Sequence, residues 1–298
     1  MTAHEWTDAE LLKLEHRIKR EYQKAYNEAK ADLEAVLSAL QDDDGTMPLR
    51  KRMGLIAKKR KLDALCKQMA DAIANAGKIS GSLIDSSVAS VYMRNYNAFA
   101  SVLDFALITQ QDVVGILSAQ VHPFDRLALD ALQDPDTIKR HMESELVTGL
   151  LRGESIPKIA RRLQTAAEGS LSNAVRVART EVTRVEASAR NDIGKQGEKL
   201  GFDMGKRWIA TKDKRTRPSH RKVDHAEVRM GELFELDGKD GVNDYLEFPG
   251  DVSHGAGPGN VCNCRCTVIP FIIGIKNTAS EDVKTADTAL LNEKLSVK

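Results

Sequence analysis

Apolar and small residues recur near the start of the chain at Leu11, Leu14, Ile18, Tyr22, Ala25, Ala29, Leu33, Val36 and Leu40. The steps run three, four, four and then repeat, an eleven-residue period of about 3.67 residues per turn. That predicts one long helix, with a stripe suited to a straight or slightly right-handed partner. Thr7 and Glu10 have capping-box spacing, so the helix is expected from Thr7 to Leu40. Asp42-Asp43-Asp44-Gly45, with Pro48 beyond it, ends the pattern. A stripe this narrow cannot make its own core. It must lie on another helix, of this chain or of a neighbour.

A second helix is expected from Leu49 to Ala76, with Gly77 as its C-cap. Gly81 and Ser86-Ser87 read as a loop. Val88 to Gln110 then returns to helix, with Val91, Tyr92, Asn95, Tyr96, Phe99 and Leu103 at helical spacing. His122-Pro123-Phe124 is a further break, followed by a helix from Asp136 to Arg152. Ser155 as N-cap and Pro157 in the first turn open a helix from Lys158 to Ala167. Another helix, Leu171 to Leu200, carries Arg176, Arg179, Thr180, Glu181, Arg184 and Arg190 and ends at Gly201.

Beyond Gly201 the pattern changes. Lys206 to Ala210 reads as a strand, Thr211 to Thr216 as a turn, and Pro218 to Val223 as one or two helical turns. Glu227 to Leu236 is strand-like and broken by Gly231. Asp237 to Gly259 is a glycine-rich loop, and Cys264 to Ile273 a closing strand. The fold class is therefore mainly α: an elongated helical N-terminal region plus a small α+β C-terminal module with a short antiparallel sheet. The expected divisions are 1–130 (helical arm or hairpin), 131–205 (helical connector), 206–274 (α+β module) and 275–298 (flexible tail).

Composition narrows the function classes. Aromatic residues make up 5% of the 298, which argues against an aromatic-rich core or a long β-sandwich. The net charge of +1 gives no global attraction to nucleic acid, so any such case rests on a local patch. Arg50, Lys51, Arg52, Lys58, Lys59, Arg60 and Lys61 form that patch. It is either a solvated helix face or a surface that tracks duplex phosphates without sequence preference. No aromatic interleaves these charges, which disfavours base stacking on single strands. No apolar run approaches the roughly 20 residues that span a bilayer. The N-terminus lacks a signal-peptide pattern, and three of the four cysteines cluster too closely for a disulfide framework. A reducing cytoplasm is the expected site of synthesis.

Three stretches carry the chemical information. They are Arg179-Thr180-Glu181, the run from Trp208 through Asp213, Arg215, Arg217 and Pro218 to His220, and Asn260-x-x-Asn263-Cys264-Arg265-Cys266. Together they resemble the Mu F-like minor head protein family of tailed bacteriophages, with the specific part lying between Val175 and Pro270. The resemblance implies a non-enzymatic minor capsid protein that associates with the portal in few copies and acts in head assembly and in DNA packaging or ejection. It implies portal and capsid proteins as partners, double-stranded DNA as a non-specific one, and no membrane in the assembled head. The expected location is the virion, near the portal vertex. Some members carry a toxin or transferase domain after this module. The sequence ends about 25 residues past it, so none is expected here.

The residues admit their own physical reading. Arg215, Arg217 and Glu181 are candidates for a buried ion-pair network, since guanidinium groups suit bidentate carboxylate pairing. Asp213 is placed to cap the short helix after it. Arg179, Trp208, Asn263 and Arg265 complete the set expected to structure the module. On a strand, Cys262, Cys264 and Cys266 would share one face. Cys264 and Cys266, with His220 and either His254 or His225, would make a tetrahedral zinc site. His254 is the preferred fourth member. Free cysteines also pack as small apolar groups, so packing alone is the alternative for these thiols. A structural zinc is the one cofactor considered. Two other functions remain open: a metal-dependent nuclease acting on phage DNA, built on His220, His225, His254 and nearby aspartates, and a helix-turn-helix regulator around Leu151 to Leu163.

Overall fold

The computed structural model describes the backbone of residues 2–41, 48–119, 134–152, 156–275 and 292–296. The element order is α1 (Ala3–Gln41), α2 (Pro48–Ala100), α3 (Gln110–Ser118), α4 (Pro135–Leu151), α5 (Ile156–Lys199), β1 (Phe202–Ile209), α6 (Pro218–Lys222), β2 (Glu227–Arg229), β3 (Phe234–Asp237), β4 (Asn243–Leu246), α7 (Pro258–Val261) and β5 (Thr267–Ile275). The expected mainly α fold with a small antiparallel α+β module is what forms.

Local chemistry moves several expected boundaries. Helix α1 starts at Ala3, four residues before the expected Thr7. A capping arrangement of the predicted kind is present, but on Thr2 and Glu5: the Glu5 amide donates to the Thr2 hydroxyl at 3.1 Å, and the Thr2 amide to the Glu5 carboxylate at 2.8 Å. Thr7 lies inside the helix, where its hydroxyl donates to the Ala3 carbonyl. Helix α2 runs unbroken through Gly77, Gly81 and Ser86-Ser87, which were expected to end or interrupt it. Gly77 and Gly81 are buried within the helix. The hydroxyls of Ser80 and Ser90 donate to carbonyls four residues back and so do not compete with the helix. The helix stops at Ala100, and Thr109 with Asp112 forms the capping box of α3. Helix α5 likewise spans the expected gap between Ala167 and Leu171. Ser155 and His122-Pro123-Phe124 lie outside the described residues.

The chain forms two compact units, neither continuous in sequence. One comprises Met1–Leu14, Ile84–Arg126 and Arg176–Lys298; the other comprises Glu15–Leu83 and Leu127–Val175. The linear divisions expected above therefore do not coincide with them. Helices α1, α2 and α5 contribute residues to both. The second unit is helical, with Ile18, Tyr22, Met69, Ile73, Met142 and Leu163 buried, and an Arg162–Glu145 ion pair at 3.1 Å joins α5 to α4. The α1 stripe from Leu11 to Ala25 is buried within this chain. Side chains of residues 28–63 lie outside the described set.

The first unit holds a three-stranded antiparallel sheet, β2-β1-β5, and a separate β3-β4 hairpin. Strand β4 and helix α7 both form inside what reads as a glycine-rich loop. Strand β1 pairs with β5 along its length, from Phe202 opposite Ile275 to Ile209 opposite Thr267. Trp208, Phe234, Leu236, Leu246, Val261 and Val268 form one core, and Phe99, Ile193, Met204, Met230 and Ile272 another.

From Val182 to Asn191, α5 is buried at every position although it carries Arg184, Glu186, Ser188, Arg190 and Asn191. Such a helix is tolerated only if its polar groups find partners. Arg190, 1% exposed, pairs with Glu186 at 2.8 Å and donates to Asn95 Oδ1 at 3.0 Å. Asn95 in turn donates to Thr7 Oγ1, His4 contacts Glu186 at 2.8 Å, and Thr267 Oγ1 donates to Glu186. This buried network ties α1, α2, α5 and β5 together.

Candidate functional site

The two distant sequence stretches meet in the first unit through side-chain and backbone bonds. Asp213 opens a polar turn, where its carboxylate accepts the amides of Arg215 and Thr216. The same carboxylate takes a two-pronged bond from the Arg265 guanidinium, at 2.5 and 2.8 Å. That fork holds the Asp213 carboxyl well below its usual range. Thr211 Oγ1 donates to the Arg265 carbonyl, and Arg217 donates to the Cys262 carbonyl, each at 2.5 Å. Ser219 donates to Asn260 Oδ1 at 2.8 Å.

Asn263 has φ of +55°, a left-handed conformation that Asn tolerates better than most residues. Its backbone N–H donates to Thr180 Oγ1 on α5, at 2.8 Å. Thr180 is thus the member of the Arg179-Thr180-Glu181 triple that ties the helix to the knuckle. The expected network of Arg215, Arg217 and Glu181 does not form. Arg215 is exposed beside Asp213, Arg217 reaches a backbone carbonyl, and Glu181 pairs with Arg184 three residues along its own helix. Asp213 stabilises its own turn, while Arg217 occupies the N-cap position of α6. Arg179 is partly buried on α5.

The thiols come together by a different route from the one expected. Strand β5 begins at Thr267, so Cys264 and Cys266 precede it. Cys262 caps α7, and the turn at Asn263 swings the next residues inward. The Cys266 amide donates to Cys264 Sγ at 3.4 Å. His220, on α6, places Nδ1 3.3 Å from Cys266 Sγ and 3.6 Å from Cys264 Sγ. All three residues are buried, and their ligand atoms lie within 4.8 Å of one another. Among the described residues they are the one group of three His, Cys, Asp or Glu side chains so placed. Cys262 is not a member, because a strand's alternation never applied to it.

Trp208 packs at 82° against the His220 ring, 5.5 Å between centroids, and so fixes it from behind. The contact with Cys264, followed by that with His220, pulls the Cys266 thiol well below its ordinary pKa despite burial. The same thiol–thiol bond and burial push Cys264 up.

His254 lies elsewhere. Its Nδ1 meets Asp251 at 2.9 Å and Ser253 at 3.0 Å in the loop before α7. His225 is exposed beside Asp224. The histidines considered for a nuclease site therefore occupy three different settings. The backbone of the basic segment lies in α2, but the side chains of Arg50, Lys51, Arg52, Lys58, Lys59, Arg60 and Lys61 are outside the described residues. The contribution of Glu186 and Asn95 was not legible beforehand, since each reads as an ordinary helix residue; Thr180 stood in a singled-out triple but without a role of its own.

Residues 140–269 match the family described as Phage Mu protein F like protein. The chain is 34% identical over 135 residues to minor head protein GP7 of Bacillus phage SPP1, covering 43% of this chain and 39% of that protein. It is 30% identical over 180 residues to the NAD(+)–arginine ADP-ribosyltransferase EFV of Enterococcus faecalis, covering 60% of this chain and 35% of that protein. The chain thus spans well under half the length of the curated relatives it matches. No solved structure matches it. No helix among the described residues is long and apolar enough to cross a membrane.

Proposed function

We propose that this chain, whose residues 140–269 match the Mu F-like family, is a minor head protein acting in head morphogenesis of a tailed phage. The observation that carries the reading is the joining of Asp213–His220 to Asn260–Cys266. The stretches that suggested the family from sequence are one bonded knuckle in the fold, within the matched segment. The knuckle is built for cohesion: arginines are bound to carboxylate or carbonyl groups, and the histidine and thiols are buried.

The finer reading is that the protein sits in the virion near the portal vertex and contacts portal and capsid subunits. The basic segment from Arg50 to Lys61 would then touch packaged DNA without sequence preference. The test is a nonsense mutation in a phage encoding this chain. Heads lacking it are expected to be defective in assembly, DNA content or ejection, and wild-type heads to contain it in few copies. Normal infectious heads without the chain would overturn the reading. For DNA, binding should weaken steeply with salt and be equal for two unrelated duplexes. Sequence-selective binding would point to a regulator instead.

One observation favours a second reading. The relative EFV is named for ADP-ribosyl transfer from NAD(+) to arginine. Incubating the purified chain with labelled NAD and an arginine-rich acceptor tests it. The head-protein reading expects no transfer. Label that scales with the amount of chain would make this an enzyme.

A further inference from the structure

We propose that His220, Cys264 and Cys266 bind one zinc ion as three protein ligands, with a water molecule as the fourth ligand, and that the ion staples α6 to the segment leading into β5. The proposal departs from the four-residue set suggested by sequence, because His254 is committed to Asp251 and Ser253.

The geometry is that of a zinc site. Zinc bonds of about 2.3 Å to sulfur and 2.0–2.1 Å to nitrogen, at a tetrahedral angle, set sulfur and nitrogen roughly 3.6 Å apart. The two separations here are 3.3 and 3.6 Å. A thiol–imidazole hydrogen bond needs one such approach; here both sulfurs approach the same nitrogen, as two ligands of one ion would.

The second ring nitrogen, Nε2, is buried and has no hydrogen-bond partner among the described residues, on a side chain that is 1% exposed. The tautomer with its proton at Nε2 leaves the Nδ1 lone pair directed at the sulfurs, which is the ligand form. Sulfur and imidazole donors in a tetrahedral arrangement select zinc among common divalent ions.

The amide of Cys266 already donates to Cys264 Sγ. Arg265, between the thiols, is clamped on both sides, its guanidinium by Asp213 and its carbonyl by Thr211. These bonds orient the thiols before any ion arrives.

The fourth position is defined by space. A cavity of about 20 Å3 adjoins the three residues and is also lined by Thr211, Thr216 and Arg217. About 10–15 Å3 suffices for one water. Zinc binding displaces the thiol protons to solvent and leaves two thiolates and the divalent ion with no net charge in a buried place. The ion closes a loop of more than forty residues between His220 and Cys264, a constraint the module's small core would otherwise lack.

The test measures metal in the full chain, whatever its role in a phage. After zinc addition and desalting, wild-type protein and His254→Ala should each retain about one equivalent. The double variant Cys264→Ser/Cys266→Ser should retain less than about a tenth. Should that variant fail to fold, the wild type still decides. Cobalt added to chelator-treated wild type should give the intense visible bands of a tetrahedral ion and a thiolate charge-transfer band. Less than a tenth of an equivalent on the wild type, an octahedral cobalt spectrum, or full retention by the double-serine variant would overturn the proposal. So would loss of the metal in a folded His254→Ala.

Discussion

Removing the charge of Arg190 should destabilise the first unit severely, and removing Glu186 with it should restore most of the loss. Arg190 is 1% exposed and its side chain meets Glu186, Asn95 Oδ1 and the Val268 carbonyl, with the guanidinium 5.3 Å from the Phe99 ring. Arg190→Met keeps the stem that packs on Phe99 but leaves the Glu186 carboxylate, itself nearly fully buried, with His4 as its basic partner among the described residues. Breaking a buried pair in this way costs about 3–5 kcal/mol. Glu186→Leu leaves the guanidinium stranded and should cost a similar amount.

The double variant Glu186→Leu/Arg190→Met replaces two buried charges with apolar groups of similar volume, a change that is often near neutral. Here Asn95 Oδ1 and the Val268 carbonyl lose donors, so a residual cost of about 1–3 kcal/mol is expected. Both tryptophans, Trp6 and Trp208, belong to the first unit, so their fluorescence during urea unfolding reports on it without a label. The decisive quantity is the coupling energy of the double-mutant cycle. A coupling below about 1 kcal/mol, or a double variant as unstable as the sum of the singles, would mean that the pair does not hold the helices as described.

Three further outcomes are expected. Trp208→Ala, at a position with 0% exposure between His220 and Phe234, should cost about 3–5 kcal/mol in thermal or urea unfolding. Asn263→Gly should leave thermal stability within a few tenths of a kcal/mol, whereas Asn263→Val should lose about 1–3 kcal/mol, because a β-branched residue at positive φ is strained. Burial lowers the Lys206 pKa to about 8 from an ordinary 10.5. The unfolded chain therefore holds more protons than the folded one between those values, and stability should rise with pH across that window. Lys206→Met should flatten the rise in urea titrations run from pH 7 to 11, and a curve of unchanged slope would refute the assignment.

The helices were largely legible because their amphipathic stripes are long. What sequence misjudged was where they stop. Gly77, Gly81 and Ser86-Ser87 read as breakers, yet α2 runs through all four, and neighbouring Ser80 and Ser90 bond four residues back without competing with it. Capping chemistry was identified correctly in type and wrongly in place, since Thr2 with Glu5 satisfies the same spacing rule as Thr7 with Glu10. Strand β4 and helix α7 were hidden by the glycines around them. The buried polar helix at Val182–Asn191 could not be read as core, because a stretch rich in Arg, Glu and Ser looks solvated until its partners on α1, α2 and β5 are known.

The knuckle shows why residue identity outlived a wrong structural premise. Cys264 and Cys266 were paired on the argument that alternate strand residues share a face, but no strand exists there. The turn at Asn263, anchored to Thr180, brings the same two thiols beside His220 and leaves Cys262 out. Strand alternation would have treated all three cysteines alike. The turn discriminates among them, so Cys262→Ser and Cys264→Ser should differ. Cys262→Ser is expected to keep the zinc equivalent and the thermal midpoint of the wild type. Cys264→Ser should lose at least tenfold in zinc affinity, judged by competition with a coloured chelator. Equal behaviour of the two variants would return the cysteines to a common, packing-only role.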